Sequence, residues 1–116
     1  MSRDKSAERP LVLLVDDERD LIEELAEGLA PYPVTVELAG DGFEAFASVE
    51  RLDPDLVLVD QNMPGLTGTS LIQNVRSLPH GQHITFLMMS AYLTDAEEAH
   101  AARLDVRHIL QKPFDL

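Results

Sequence analysis

The sequence predicts an α/β fold, a doubly wound, five-stranded parallel sheet with helices on both faces. Three observations carry it. Three short runs are apolar at almost every position and stop abruptly at a polar residue, as strands covered on both faces do. Stretches of helical period lie between them, and the spacing leaves room for crossover connections.

Residues 1–9 carry five charges and little apolar surface, so a flexible tail is expected there, with the folded domain spanning residues 10–116. Leu11 to Val15 is the first strand, ending at Asp16 and Asp17. Leu21, Ile22, Leu25, Ala26 and Leu29 then share one face of an amphipathic helix, with acids opposite. A shorter strand is expected over Val34 to Ala39. Asp41 and Glu44 have the spacing of a capping box, so a helix follows. Leu56 to Val59 is the second apolar run and stops at Asp60. Leu71, Ile72 and Val75 mark a helix after Gly68, closed by Pro79. The third run, Ile84 to Met89, ends at Ser90. Thr94 and Glu97 form a second capping box and start a helix, and a last short strand over Arg107 to Gln111 ends at Lys112 and Pro113.

Composition narrows the function. At 116 residues, 45% of them apolar, the chain makes one domain with a sizeable core. It has no cysteine, which excludes disulfides, thiolate metal sites and thiol redox chemistry. The net charge of -12 repels nucleic acid and anionic lipid, so this domain is expected to contact neither nucleic acid nor membrane. No apolar run is long enough to span a bilayer and the start is polar, so a soluble, cytoplasmic domain is expected.

In open parallel sheets the working site lies at the carboxyl ends of the strands, near the point where strand order reverses. Those ends hold Asp16, Asp17, Asp60, Ser90 and Lys112. Three carboxylates that share one site repel one another, and a hard divalent cation relieves the repulsion. A small set of oxygen ligands favours Mg²⁺, which keeps several waters and leaves room for a phosphate oxygen. Asp60 then stands as a nucleophile toward phosphorus, with Lys112 and the Ser90 hydroxyl neutralising the transferring oxygens.

With these motifs the sequence resembles the response-regulator receiver family of two-component signalling, from about Leu11 to Phe114. The resemblance is carried by Asp16-Asp17, by the segment from Asp60 through Asn62, Met63, Pro64 and Gly65 to Gly68, by Ser90-Ala91, and by Lys112-Pro113-Phe114. It implies a flavodoxin-like strand order of 2-1-3-4-5 with Asp60 as phosphoacceptor. Asp17 would be a direct Mg²⁺ ligand, Asp16 a ligand mainly through water, and the backbone carbonyl of Asn62 a further ligand. Ser90 would bond a phosphoryl oxygen in the active state, and Lys112 would pair with Asp60 or its phosphate. The donor implied is a phosphohistidine on a sensor histidine kinase or a histidine phosphotransfer protein, docking on the helix from Leu21 to Leu29. A further output or kinase domain is expected in the full-length chain. Such a domain is a signalling phosphoacceptor and not an enzyme with a separate substrate; it catalyses its own phosphorylation and slow autodephosphorylation.

Three positions depart from the family pattern. Ile109 stands three residues before Lys112, where many members carry a switching Tyr or Phe, leaving His108, Tyr92 or Ile109 itself to carry the readout. Gln61 follows the acceptor, a position that varies widely. The family's fifth helix, and the dimer face it often builds, would follow Lys112-Pro113, and the chain ends at Leu116 before that helix forms; a partner or a longer chain is expected to cover the bare face.

Each motif also has a plainer reading. Asp16 and Asp17 alone would be helix caps, Lys112 before Pro113 an ordinary turn, and Ser90 no signal at all. His80 and His83 are better explained by a turn with Pro79 and Gly81 than by metal binding. Met63, Met88 and Met89 fill loop and core, and Gly65 and Gly68 serve backbone geometry. Two other functions compete. Haloacid-dehalogenase-like phosphatases use a similar aspartyl-phosphate, but they carry a second aspartate where this chain has Asn62. A receiver-like interaction module that is not phosphorylated is the other alternative.

Overall fold

The structure, a computed structural model, describes residues 9–113. The expected tail up to Glu8, Phe114 of the Lys-Pro-Phe motif and the place of a fifth helix lie outside the described residues.

Five strands alternate with four helices: β1 Leu11–Val15, α1 Arg19–Leu29, β2 Thr35–Ala39, α2 Gly42–Leu52, β3 Leu56–Asp60, α3 Gly68–Arg76, β4 Thr85–Ser90, α4 Asp95–Arg103 and β5 Val106–Gln111. A short 3-10 helix, Gly81–His83, precedes β4. All pairings are parallel, in the order β2-β1-β3-β4-β5. The strand order therefore reverses between β1 and β3, and the expected fold is found.

Alternation along each strand divides the core into two layers. Leu13, Val15, Val57, Val59, Phe86 and Met88 face Ala45 and Val49 of α2, Leu71, Ile72 and Val75 of α3, and Ala101 of α4. On the other face Val12, Leu14, Leu58 and Met89 meet Ile22 and Leu25 of α1. Leu56, Leu87 and Leu110 on that second face are only half-buried.

The strands covered on both faces match the apolar runs closely. The two edge strands start one residue from their expected positions, at Thr35 and Val106. A register shift between Phe86 and Leu87 leaves Arg107 out of the β4–β5 pairing. Helix starts also differ in detail. Thr94 and Glu97 form the full reciprocal capping box of α4. At α2 only half of the expected box exists: Asp41 accepts from the Glu44 N–H at 2.7 Å, but the Glu44 carboxylate takes the N–H of Gly40, one residue before the cap. For α1 the cap residue is Glu18, without a side-chain cap bond, so neither Asp16 nor Asp17 serves as the cap.

Candidate functional site

The carboxyl edge of the sheet gathers the predicted side chains. Asp60 is the last residue of β3 and 3% exposed; Asp16, just past β1, is fully buried; Asp17 beside it is exposed. One carboxylate oxygen from each lies within 4.8 Å of the others, and this is the candidate metal-binding cluster found among the described residues. Burial is the main reason that the Asp60 carboxyl titrates above its ordinary range, with the Asp16 charge adding to it and Lys112 opposing it. Asp17 is pushed up as well, first by desolvation and then by its hydrogen bond and charge contact with Asp16. Hard oxygen donors that repel one another at this range fit a Mg²⁺ ion.

Lys112, just past β5, supplies the opposing charge. Its Nζ lies 2.6 Å from Asp16 Oδ2 and 3.3 Å from Asp60 Oδ1. The family-implied partner of Lys112 was Asp60 or its phosphate, and in this structure Asp16 is nearer. Glu18 is a third partner, at 3.3 Å, and sequence reasoning missed it. Burial alone would lower the pKa of Lys112, but the hydrogen bond to Asp16 and the charges of Asp60 and Asp16 outweigh it and leave the pKa raised. Asp16 Oδ1 is already engaged by the Glu18 backbone N–H at 3.0 Å. The Asn62 backbone N–H bonds the Asp60 carboxylate.

Ser90 ends β4, 2% exposed. Its Oγ lies 2.9 Å from Asn62 Oδ1 and 2.7 Å from the Tyr92 carbonyl, and it accepts from the Tyr92 N–H at 3.1 Å. A hydroxyl has one proton, so the two acceptors compete for it. Ser90 therefore fastens the loop after β4 and does not bond Asp60. Beyond it an open cavity of about 360 Å³ is lined by Tyr92, Leu93, Glu98, Ile109 and Gln111. Tyr92 is 72% exposed and Ile109 39%.

The loop after β3 is shaped by backbone needs. Gly65 sits at φ 82°, a left-handed conformation that favours glycine. A Cβ on Gly68 would come within 2.8 Å of the Asp60 carbonyl oxygen, so α3 starts this close to β3 only because that position has no side chain. Gln61, which the sequence left without a role, is 2% exposed and fully engaged. Its Oε1 accepts from the Thr69 N–H at 2.8 Å, and its Nε2 donates to Thr69 Oγ1 at 3.2 Å and to Glu97 Oε2 at 2.9 Å. No sequence signal reveals this, because the Glu97 partner lies on another helix. His83 Nε2 lies 3.3 Å from Asp53 Oδ1, away from the aspartate cluster.

Comparison with known proteins agrees with this fold. A family model described as the response regulator receiver domain matches residues 12–116. The chain is 33% identical over 106 residues to chemotaxis protein CheY-3 of Vibrio cholerae, covering 89% of this chain and 80% of that one. It is 34% identical over 105 residues to response regulator MprA of Mycobacterium leprae, covering 90% of this chain but only 45% of MprA, so it spans less than half of that relative. The solved structure of a response regulator receiver protein from Pseudomonas putida superposes with a TM-score of 0.86 at 27% identity, covering 94% of this chain and 90% of that one.

Proposed function

The chain belongs to the response-regulator receiver family, and from that premise we propose that Asp60 accepts a phosphoryl group from a phosphohistidine donor in a Mg²⁺-dependent reaction. The observation that carries the proposal is the placement of Asp60: buried at the end of β3, within 4.8 Å of Asp16 and Asp17 through one oxygen each, and 3.3 Å from the Lys112 ammonium. Asp16, Asp17, Asp60 and the Asn62 carbonyl would hold the ion, which neutralises phosphoryl oxygens and lets three carboxylates stay ionised together.

The residues of the chain then have separate tasks. An Asp60 oxygen forms the bond to phosphorus as the P–N bond to the donor imidazole breaks, and the imidazole nitrogen keeps the electron pair. Lys112 spreads its charge between Asp16 and Asp60 at rest and turns to the phosphoryl oxygens as they arrive. Ser90 gives up its bond to Asn62 or Tyr92 and donates to a phosphoryl oxygen, drawing the loop after β4 with it. The product is a signal, ended by slow autodephosphorylation; no separate substrate is turned over.

Asn62 weighs against phosphatase chemistry, since an amide at this position is no acid or base and its side chain is bonded to Ser90. The donor is a sensor histidine kinase or a phosphotransfer protein that docks on α1. A further output or kinase domain reads the state. The net charge of -12 leaves nucleic-acid contact to that domain. Among the described residues no helix is long and apolar enough to cross a membrane, in keeping with a cytoplasmic role.

The test is incubation with acetyl phosphate and Mg²⁺ followed by intact-mass measurement. Wild type should gain one phosphoryl group, and neither Asp60→Asn nor a sample with the metal chelated should. An unlabelled wild type, beside a receiver that labels under the same conditions, sinks the proposal.

A further inference from the structure

Gln61 joins three elements that meet behind the acceptor. Its backbone N–H bonds the Met89 carbonyl of β4 at 2.9 Å, its carbonyl accepts from Gly68 at the start of α3, and its buried side chain reaches Glu97 on the first turn of α4. Glu97 is divided between two duties. One oxygen, Oε1, caps α4 through the N–H and hydroxyl of Thr94, at 3.0 and 3.1 Å, and the other, Oε2, receives the Gln61 amide at 2.9 Å. Ala101 is the one buried residue of α4, so this helix has little apolar anchorage and depends on polar ties at its start. Only Ala91, Tyr92 and Leu93 separate Ser90 from the Thr94 cap, so a pull on the Ser90 hydroxyl is delivered to the same turn that Gln61 holds.

We propose that the Gln61–Glu97 hydrogen bond is a latch: it holds α4 in its resting position and is given up when Ser90 turns to the modified Asp60. Gln61 is a positioning residue in this scheme, acting through Glu97 and not on the phosphoryl group. The proposal rests on the phosphoacceptor reading given above. A bond present only in the resting state opposes the switch by its own free energy, so deleting it shifts the population toward the switched state.

The probe is beryllofluoride with Mg²⁺, which mimics an aspartyl-phosphate, titrated against wild type, Gln61→Leu and Glu97→Gln. Gln61→Leu loses the amide at similar volume, and with it the bonds to Thr69 as well as the one to Glu97, whereas Glu97→Gln leaves the Thr69 bonds in place. Glu97→Gln has only one acceptor oxygen and cannot both cap Thr94 and receive the Gln61 amide. Both variants should bind the probe ~3- to 10-fold more tightly, the net worth of one typical hydrogen bond. Amides in the first turn of α4 should exchange faster than in wild type when no probe is present. A merely structural role would lower the melting temperature and weaken probe binding, and that result overturns the latch. Unchanged binding in both variants, with wild type binding normally, overturns it too while sparing the phosphoacceptor reading. Failure of wild type to bind the probe overturns both.

Discussion

Asp60 is held in an environment that costs the fold something. Burial and the Asp16 charge raise its pKa, against the pull of Lys112, so the folded protein binds a proton at Asp60 more readily than the unfolded chain does. The sign follows: the cost is present above the raised pKa and is relieved as pH falls through it. Asp60→Asn should therefore be more stable than wild type at neutral pH, by ~1 kcal/mol. The gap should close in acid, as urea denaturation at a series of pH values can check. Glu97 has the opposite sign. Its pKa is lowered, first by the Thr94 backbone N–H and then by Gln61, so its bonds to the Thr94 cap and to Gln61 are complete above the ordinary carboxylate range and lost as pH falls through the lowered value. The carboxylates and Lys112 were legible in the sequence because topology alone brings strand ends together. Gln61–Glu97 and Glu18–Lys112 were not, since they depend on how far long side chains reach across loops.

At the scale of elements, the strands buried on both faces were readable as apolar runs, whereas the edge strands β2 and β5, with one face partly in water, blurred by a residue. Asp60 and Ser90 belong to their strands and do not merely follow them, because ladder bonding continues to the Asp60–Met89 and Ser90–Gln111 pairs. Capping boxes marked two helix starts, but spacing could not show that Glu44 would reach past its own cap. The start of α3 offers the sharpest test. Gly68→Ala places a methyl 2.8 Å from the Asp60 carbonyl oxygen and 3.0 Å from Gln61 Cα, both backbone atoms. It should cost ~1–3 kcal/mol, measured by thermal denaturation, and displace Asp60 enough to slow labelling by acetyl phosphate.

Across the whole molecule, the ends of the sheet differ. At the amino-terminal edge the Arg76 guanidinium bonds the carbonyls of Gly81 at 2.8 Å, Ile84 at 2.8 Å and Leu104 at 3.1 Å, and lies 5.0 Å from the centre of the Phe86 ring. One side chain thereby ties α3 to the approaches of β4 and β5. Arg76→Ala should destabilise the fold by ~3 kcal/mol by leaving carbonyls without a donor, and Arg76→Lys should recover little of that, because an ammonium cannot span the fork. Acid and urea denaturation of both variants checks this, with labelling at Asp60 retained in whatever fraction stays folded. The faces differ as well: among the described residues three helices cover one, while α1 alone covers the other, where Leu56, Leu87 and Leu110 stay half-buried.

The Arg76 tie also divides the molecule for anyone who wishes to instrument it. A fluorophore attached near Gln82 would ride on a pinned floor and serve as an internal reference, whereas one at the exposed Tyr92, two residues from the Ser90 hydroxyl, would sit on the loop that the proposed switch moves. Paired at these two stations, the dyes would make the domain its own gauge of phosphoryl occupancy, with the baseline and the signal built into one chain.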